Sequence, residues 1–415
     1  MASKRDLTVK HRRGAETPEL PPEKEEKPVS AGKKKKRRRW GRSALLHLLF
    51  RLVLVVVLVL AVALLWRNRN RLAPAALVEW FDRVVTGGEG GNGYPVAISG
   101  SQVIAMQSLG SQTAVLTDTS LIVYNSAGAV LTDRHHTYGK PVLHTGGEYM
   151  LITESGGSRY SLSTRKEILY SGQTANTLRN ASVDEDGRIV LVTGSTQSYM
   201  SEVLVVDRSG KELFHWYGAD ITAVDAAVSP GGKRVAVLGL SAQGGEMRST
   251  LQLFPLAGKE AKAEYTYSGT GAMMVSLRCF NNGNLGVVGD SAAWICDPGG
   301  STEIYPYGDA ELLGYAFSEK GLGLVTRGLG ESGGGSFLGI SPSGKQQQPV
   351  TFTGEFRHVA ASESGWYLLT DDTLYDLTSD GVSRRAEAAR DSLMVTELNG
   401  KPLVLSLTAI TRCEW

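Results

Sequence analysis

The stretch GRIVLVTGSTQSYMSEVLVVDRSGKELFHWYG (187–218) holds one complete copy of the pattern that decides the fold. It opens on a turn glycine followed by an apolar run. A second apolar run leads to a Ser-Gly turn, and the copy closes on an aromatic residue followed by glycine. Short runs rich in Val, Ile and Leu between turn residues are typical of strands joined by hairpins. The pattern therefore predicts antiparallel β-structure.

The same pattern recurs along the chain. The turn glycine that precedes an apolar run appears eight times, at intervals of 37, 40, 45, 51, 38, 44 and 35 residues, as Gly110, Gly147, Gly187, Gly232, Gly283, Gly321, Gly365 and Gly400. The aromatic marker falls once in each of the first six of the seven intervals between these glycines, at Tyr138, Tyr170, Tyr217, Tyr267, Tyr307 and Phe352. Two interleaved markers indicate a genuine internal repeat.

Each repeat has room for four strands, and a four-stranded unit of this length is typical of a β-propeller blade. We predict an all-β, eight-bladed propeller, with seven blades as the alternative because the 51-residue interval could hide a miscount. The last unit has room for only three strands. The segment 94–100 could supply the fourth, and this pairing would remove an exposed sheet edge.

The recurring tyrosines Tyr138, Tyr170, Tyr217, Tyr267 and Tyr307 have two possible roles. Because they recur at one phase of the repeat, the favoured interpretation is that they wedge neighbouring blades together. The alternative is that they form a recognition surface at one mouth of the propeller, where they would stack on a sugar or a peptide. They are the candidate site residues.

The region of glycine-turn repeats resembles the WD40-like and quinoprotein-like propeller superfamily. The whole layout, from the basic run 33–42 through the apolar run 44–66 and the Trp80-Phe81 connector to the glycine-turn repeats, is similar to an uncharacterised family of single-pass, membrane-anchored propellers of Gram-positive bacteria. The sequence departs from true WD40 repeats because no Trp-Asp dipeptide closes a unit. It also lacks the tryptophan-docking glycine motifs of quinoproteins, so the resemblance implies no cofactor.

Charge divides the chain unevenly. Residues 1–42 hold 15 Lys/Arg and 6 Asp/Glu, whereas residues 67–415 hold 28 and 36. The basic segment has little apolar content, so 1–43 is predicted to be a disordered cytoplasmic tail. The acidic balance of the remainder argues against nucleic acid as a partner.

Residues 44–66 form an apolar run of 23 residues, long enough for a helix to cross a bilayer. Basic residues before it, including Arg37, Arg38, Arg39 and Arg42, would bind anionic lipid head groups, and Trp66 would sit at the far interface. Their excess predicts a cytoplasmic N-terminus and a propeller outside the cell membrane. The alternative is a signal peptide cleaved near 61–63.

A connector follows the predicted span. Apolar residues at helical spacing between Leu77 and Val85 predict an amphipathic helix, which packs on the outer domain or lies on the membrane surface. A glycine-rich break completes the connector, 67–93. The propeller domain is predicted to cover 94–415.

The other motifs of the sequence are interpreted as structural and not as functional sites. The three cysteines are predicted to be unpaired, since Cys279 and Cys296 fall on the first and third strands of one unit. The histidines near 135–144 lack further ligands for a metal. The segment 184–187 imitates part of a calcium loop but lacks its glutamate, so a β-turn is expected. The dinucleotide-like glycines at 328–333 precede a strand where that motif needs a helix.

The functional expectation is a non-catalytic binding or scaffold module for cell-envelope or protein partners. Longer connections at 195–201, 241–249 and 328–335 are expected on one rim, where a recognition surface would be built. The alternative is an enzyme acting on glycans or peptides through an axial cavity. It would need carboxylates or histidines on the first strand of each unit, where Asp225 is the main candidate.

Overall fold

The computed structural model describes residues 91–98, 102–195, 198–257 and 262–415, which all lie in the compact unit Ala73–Trp415. These ranges form 32 strands arranged as eight antiparallel sheets of four strands each. The sheets are the blades of a propeller ring, so the prediction of eight blades is confirmed and the seven-bladed alternative is wrong.

Within a blade, strands follow one another outward from the axis. Blades 1 to 4 comprise β2 Val103–Leu109, β3 Gln112–Thr117, β4 Ser120–Tyr124, β5 Val130–His135; β6 Pro141–Gly146, β7 Tyr149–Glu154, β8 Arg159–Ser163, β9 Ile168–Gln173; β10 Leu178–Val183, β11 Ile189–Gly194, β12 Ser201–Val206, β13 Glu212–Gly218; and β14 Thr222–Val228, β15 Arg234–Gln243, β16 Glu246–Pro255, β17 Tyr265–Thr270.

Blades 5 to 8 follow the same plan, except that the first strand of the chain completes blade 8. They comprise β18 Met274–Cys279, β19 Leu285–Gly289, β20 Ala292–Asp297, β21 Ser301–Pro306; β22 Ala310–Ser318, β23 Gly321–Gly328, β24 Gly335–Ile340, β25 Val350–Phe352; β26 Phe356–Ala361, β27 Gly365–Thr370, β28 Thr373–Thr378, β29 Gly381–Glu387; and β30 Ser392–Leu398, β31 Lys401–Ser406, β32 Ala409–Arg412, β1 Val96–Ala97.

The ring closes between the two ends of the described chain. Strand β1 pairs antiparallel with β32, with Val96 opposite Ile410. Tyr94 adds a hydrogen bond from its hydroxyl to the carbonyl of Asn125 at 3.1 Å, and the Arg412 guanidinium lies 5.4 Å from the Tyr94 ring. The predicted closure by an upstream strand is confirmed.

Removal of the closing strand should open the ring. A chain that lacks residues 1–98 loses β1, which uncovers the edge of β32 and part of the core between blades 8 and 1. We expect concentration-dependent self-association in light scattering and a lower melting temperature, because an unpaired edge is a template for pairing. A chain that lacks only residues 1–90 keeps β1 and should remain monodisperse. Equal behaviour of the two truncations would contradict the role of β1.

The hydrophobic core is divided into eight clusters, one at each interface between neighbouring blades. The cluster between blades 6 and 7, for example, joins Phe337 and Phe352 to Trp366 and Leu368. A single blade cannot bury both of its faces, so each sheet depends on two neighbours. Stability is therefore expected to reside in the contacts between blades.

Burial decreases outward from the second strand. Second strands such as β7 and β27 are buried almost throughout, because neighbouring blades cover both of their faces. Fourth strands such as β17 alternate between exposed and half-buried residues. This gradient explains why the continuous apolar runs of the sequence fall on second strands.

The turns divide the ring into two faces. We call the bottom face the one that carries the turns between first and second and between third and fourth strands. The top face carries the connections between second and third strands and those between blades. All eight glycines of the first marker lie at the bottom face and have positive φ values between 58° and 158°. Glycine adopts such values without steric cost, which explains why the marker is a glycine.

Candidate functional site

Four of the five candidate tyrosines pack at interfaces between blades. They are half-buried against the clusters that join blades 1 and 2, 2 and 3, 4 and 5, and 5 and 6, and they are Tyr138, Tyr170, Tyr267 and Tyr307. Tyr267 meets Trp294 edge-on, with ring centroids 4.9 Å apart. Burial raises the pKa of each of these phenols. Their use as a recognition surface stays a prediction.

Tyr217 differs from the other four. It points away from the cluster between blades 3 and 4, and its neighbour Trp216 packs there instead. The exposed Tyr217 ring stacks on His215 at 4.3 Å and lies 4.8 Å from Tyr199. Glu202 lies 3.8 Å from the His215 ring. The top end of blade 3 therefore presents an open aromatic group beside a carboxylate.

The predicted membrane anchor falls outside the described residues. The span 44–66 lies outside the described part of the chain. The same holds for its flanking residues, Arg37, Arg38, Arg39, Arg42 and Trp66. Where the structure does describe the chain, no helix has the length and apolar character needed to span a bilayer.

The first strands surround the axis and share a bulge. In seven of the eight, one residue near the top end has no partner on the second strand, and these residues are Ile104, Arg179, Val224, Val275, Leu313, Arg357 and Leu393. A bulge bends the strand and redirects its side chain. The bulged residues are exposed or half-buried, and Ile104, Val224 and Leu313 among them pack against clusters between blades. The two bulged arginines lie on opposite blades, 3 and 7.

Polar groups on the first strands connect blades to one another. The buried Asp225 carboxylate accepts hydrogen bonds from the Asn180 amide of blade 3 at 3.0 Å and from the Leu277 N–H of blade 5 at 2.8 Å. Gln107 of blade 1 donates to the Leu143 carbonyl of blade 2 at 3.0 Å. Buried polar groups need such partners. Asp225, the sequence candidate for an axial catalytic acid, thus links three blades.

The stability of the protein should depend on pH through Asp225. Burial raises the pKa of its carboxyl to about 7, although hydrogen bonds from the Leu277 and Ala226 N–H groups lower it. The folded state therefore holds a proton that the unfolded state loses near pH 4. Stability from this group is full below pH 4 and is lost as the pH rises to about 7.

Asp225→Asn keeps the shape of the side chain and removes its titration. In urea unfolding from pH 4 to pH 8, the difference in stability between wild type and Asp225→Asn should shift in favour of the variant as the pH rises. Other titrating groups, such as His144, whose pKa burial lowers to about 4, are common to both proteins and cancel in the difference. A difference that does not vary with pH would contradict the protonated carboxyl.

The remaining candidates from the sequence have structural roles. Cys279 and Cys296 are buried free thiols on β18 and β20, as predicted, and burial raises their pKa values to about 12 and about 11. The segment 184–187 forms the expected turn, in which Asp184 accepts the Asp186 N–H at 3.0 Å. The described residues contain no group of three or more His, Cys, Asp or Glu side chains placed to hold a metal.

A cleft of about 420 Å³ opens on the bottom face between blades 4 and 5. Pro230, Phe280 and Asn281 line it, together with Arg234 and Glu264, which form an ion pair at 2.9 Å. Because Arg234 and Glu264 neutralise each other, neither of these two charges is left to bind a ligand in the cleft.

Exposed apolar side chains concentrate on the top face. Among the described residues, ten of the thirteen large apolar side chains that are exposed lie there: Val142, Tyr199, Met200, Tyr217, Met247, Met273, Val275, Leu329, Leu393 and Leu407. Leu329 and Leu407 are 85% and 68% exposed. Clustered exposed apolar groups mark interaction surfaces more often than scattered ones do.

The top face is also acidic. Its described connections hold nine acidic residues, Asp118, Asp220, Asp290, Asp309, Glu331, Glu355, Asp371, Asp372 and Asp391, against Lys140 and Arg390. The bottom-face connections of the described chain hold ten acidic and nine basic residues. The negative charge of the propeller is therefore concentrated on the apolar face.

Two of the three predicted rim loops match connections of the structure to within one residue at each end. The connections before β12 at Ser201 and before β24 at Gly335 lie on the top face, as expected. The third, 241–249, is different, because β15 and β16 continue through it and pair from Arg234–Pro255 out to Gln243–Glu246. Alternating polar and apolar residues on both sides of a Gly-Gly turn allow this extended hairpin.

Comparison with known proteins agrees with the architecture. Among solved structures, the C-terminal WD40 domain of Sif2 is similar at 12% identity and a TM-score of 0.54, over 77% of this chain and 97% of that one. Dihydro-heme d1 dehydrogenase NirN is similar at 12% identity and a TM-score of 0.52, over 72% and 68%. Hydrazine synthase of Kuenenia stuttgartiensis aligns at 11% identity and a TM-score of 0.47, over 77% and 97%.

At such identities, the likeness to the first two structures shows the propeller fold alone. A search of curated proteins found no match to the chain. A family model described as a family of unknown function, DUF5711, matches residues 90–399. Since this match spans well over half of the sequence, the chain belongs to the DUF5711 family, and the described part of it is an eight-bladed, WD40-like β-propeller.

Proposed function

We propose that the protein is a membrane-anchored, extracytoplasmic propeller that acts as a non-catalytic binding or scaffold module, with the top face as its binding surface. The observation that carries the proposal is the concentration of exposed apolar side chains on that face. Partners would be proteins or other components of the cell envelope. The predicted anchor is the apolar run 44–66, with the N-terminus in the cytoplasm.

The point at which the chain enters the ring supports this assignment. The Gly93 N–H donates to the Ala127 carbonyl at 2.9 Å, and the Arg412 guanidinium donates to the Ser126 carbonyl at 2.9 Å. Residues 125–129 form a turn on the bottom face, so the described chain enters the ring there. The described connections of the top face take no part in this entry point.

The rigidity of the scaffold supports recognition as well. The connections of the top face are short and stand on strands that are locked by eight cores between blades. A surface built on rigid elements loses little conformational entropy when a partner binds. The polar groups of the first strands that could serve axial catalysis, such as Asp225, are already engaged in bonds between blades.

Affinity capture from intact cells tests the proposal. The tagged full-length chain is cross-linked in place and compared with a top-face variant, Met247→Ser, Leu329→Ser and Leu407→Ser, and with a bottom-face control, Val130→Ser and Ile168→Ser, whose side chains are comparably exposed. We expect a reproducible set of partners that the top-face variant loses and the control keeps. Capture that is insensitive to both variants, or lost only in the control, would refute the proposal.

A further inference from the structure

We infer that one sector of the top face, over blades 3 to 5, binds a basic amphipathic segment of a partner protein. This inference rests on the proposed function and names the chemistry of the partner. We call the sector the methionine patch; it consists of Tyr199, Met200, Tyr217, Met247 and Met273, with the carboxylates of Asp220, Glu246 and Asp290.

Three exposed methionines stand on consecutive blades. Met200 is 51% exposed in the connection before β12, Met247 is 48% exposed at the top of the extended hairpin of blade 4, and Met273 is 40% exposed before β18. The side chain of Met is unbranched and polarisable, so it adapts to irregular apolar partners, and Met is over-used at binding surfaces for this reason. Three of them in one sector suit an apolar face of variable shape.

The aromatic group of blade 3 adds a rigid border to the patch. The Tyr199 and Tyr217 rings lie 4.8 Å apart, and the Thr222 hydroxyl contacts the Met200 sulfur at 3.7 Å. Tyrosine offers a large contact area with little loss of side-chain entropy. The patch therefore combines adaptable and fixed apolar groups.

Carboxylates are interleaved with these apolar groups. Asp220 lies in the connection between blades 3 and 4, Glu246 precedes Met247, and Asp290 accepts the Met273 N–H at 2.9 Å. The described connections of this sector contain no basic residue, and the adjoining strands contribute two, Arg179 at the top end of β10 and Arg248 on β16. The surplus charge is negative, so it complements lysine and arginine.

The chemistry selects the class of partner. Apolar anchors spaced along a surface, with charge of one sign between them, match an amphipathic helix whose large apolar residues recur at i, i+3, i+4 and i+7 and whose remaining positions are basic. An acidic segment would meet like charge, and a purely polar one would leave the methionines uncovered. The occupant is therefore a segment rich in Lys or Arg and in large aliphatic residues.

A designed probe tests the inference. A fluorescent 18-residue peptide of Leu and Lys at helical spacing is titrated with the full-length chain, and binding is measured by anisotropy. We expect about tenfold weaker binding by Met200→Ser, Met247→Ser and Met273→Ser combined, which corresponds to about 1.4 kcal/mol. Asp220→Asn, Glu246→Gln and Asp290→Asn combined should weaken binding and reduce its dependence on salt.

The controls separate the parts of the claim. The bottom-face variant Val130→Ser and Ile168→Ser should bind the probe as the wild type does, and a peptide with Glu in place of Lys should not bind. All substitutions are at exposed positions, so the melting temperature should change little. Equal affinity of the wild type and both patch variants, or for the Leu/Glu peptide, would overturn the inference. If the peptide test fails in this way but the top-face variant still loses partners in capture from cells, the proposed function stands and only the inference about a basic segment is wrong.

Discussion

Trp366→Ala should destabilise the protein by about 3–5 kcal/mol, the range for loss of a fully buried large aromatic side chain. The Trp366 indole is fully buried between blades 6 and 7, lies 5.4 Å from the Phe337 ring and donates from Nε1 to the Ala316 carbonyl at 3.0 Å. Gly323 leaves room for it, because a Cβ there would lie 2.7 Å from Nε1. The variant removes both the packing and the bond between blades.

Urea unfolding followed by far-UV circular dichroism measures this loss. Trp366→Phe keeps most of the ring but removes the donor, so it should cost about 1–3 kcal/mol, the penalty for a buried group left unpaired. A loss below 1 kcal/mol in Trp366→Ala would show that the interface between blades 6 and 7 does not contribute to stability as the structure indicates.

Gly321→Ala should cost about 2–4 kcal/mol, because two penalties add. Gly321 has a φ of 132°, a region that residues with a Cβ rarely adopt, and a Cβ at this position would overlap the carbonyl oxygen of Ile340. The backbone oxygen cannot move without disturbing the pairing of β23 with β24. Strands β23 and β24 would therefore separate locally.

Gly110→Ala is the matched control from the same series of turn glycines. Gly110 has a φ of 61°, and a Cβ there would meet nothing within 4 Å, so only the backbone penalty of about 1 kcal/mol applies. The melting temperatures of the two variants give the comparison. If Gly110→Ala were as damaging as Gly321→Ala, steric overlap would not be the cause.

The fold could be predicted from the sequence because its information is local and repeated. Each turn glycine marks a backbone position that needs positive φ, and each apolar run marks a strand covered on both faces. Even the closure was predictable, since blade 8 is short by one strand and Val96 lies in an unassigned apolar segment. Eight copies of a weak signal make a strong one.

Side-chain direction was less predictable. The aromatic marker selects Tyr217, but Trp216 faces the cluster between blades 3 and 4 and Tyr217 faces outward. A step of one residue along a strand reverses the face, and two adjacent aromatic residues give no sign of which one is buried. The sequence therefore indicates an aromatic residue at this level without its direction.

Polar contacts between blades could not be predicted either. Asp225 is 45 residues from Asn180 and 52 from Leu277, and neither partner is evident before the ring is assembled. The acidity of the top face, in contrast, could have been predicted from the sequence. Once strands are assigned, alternate connections can be sorted by face, and their charges then differ.

The most direct test of the central claim, that the top face is the binding surface, is photo-cross-linking in intact cells from single positions. A photoreactive residue is placed at Met200, Leu329 or Leu407 on the top face, or at Val130 or Ile168 on the bottom face, all of them exposed. The predicted result is discrete cross-linked adducts to another protein from the top positions and none from the bottom ones. Adducts from the bottom positions alone, or none from any position, would contradict the claim.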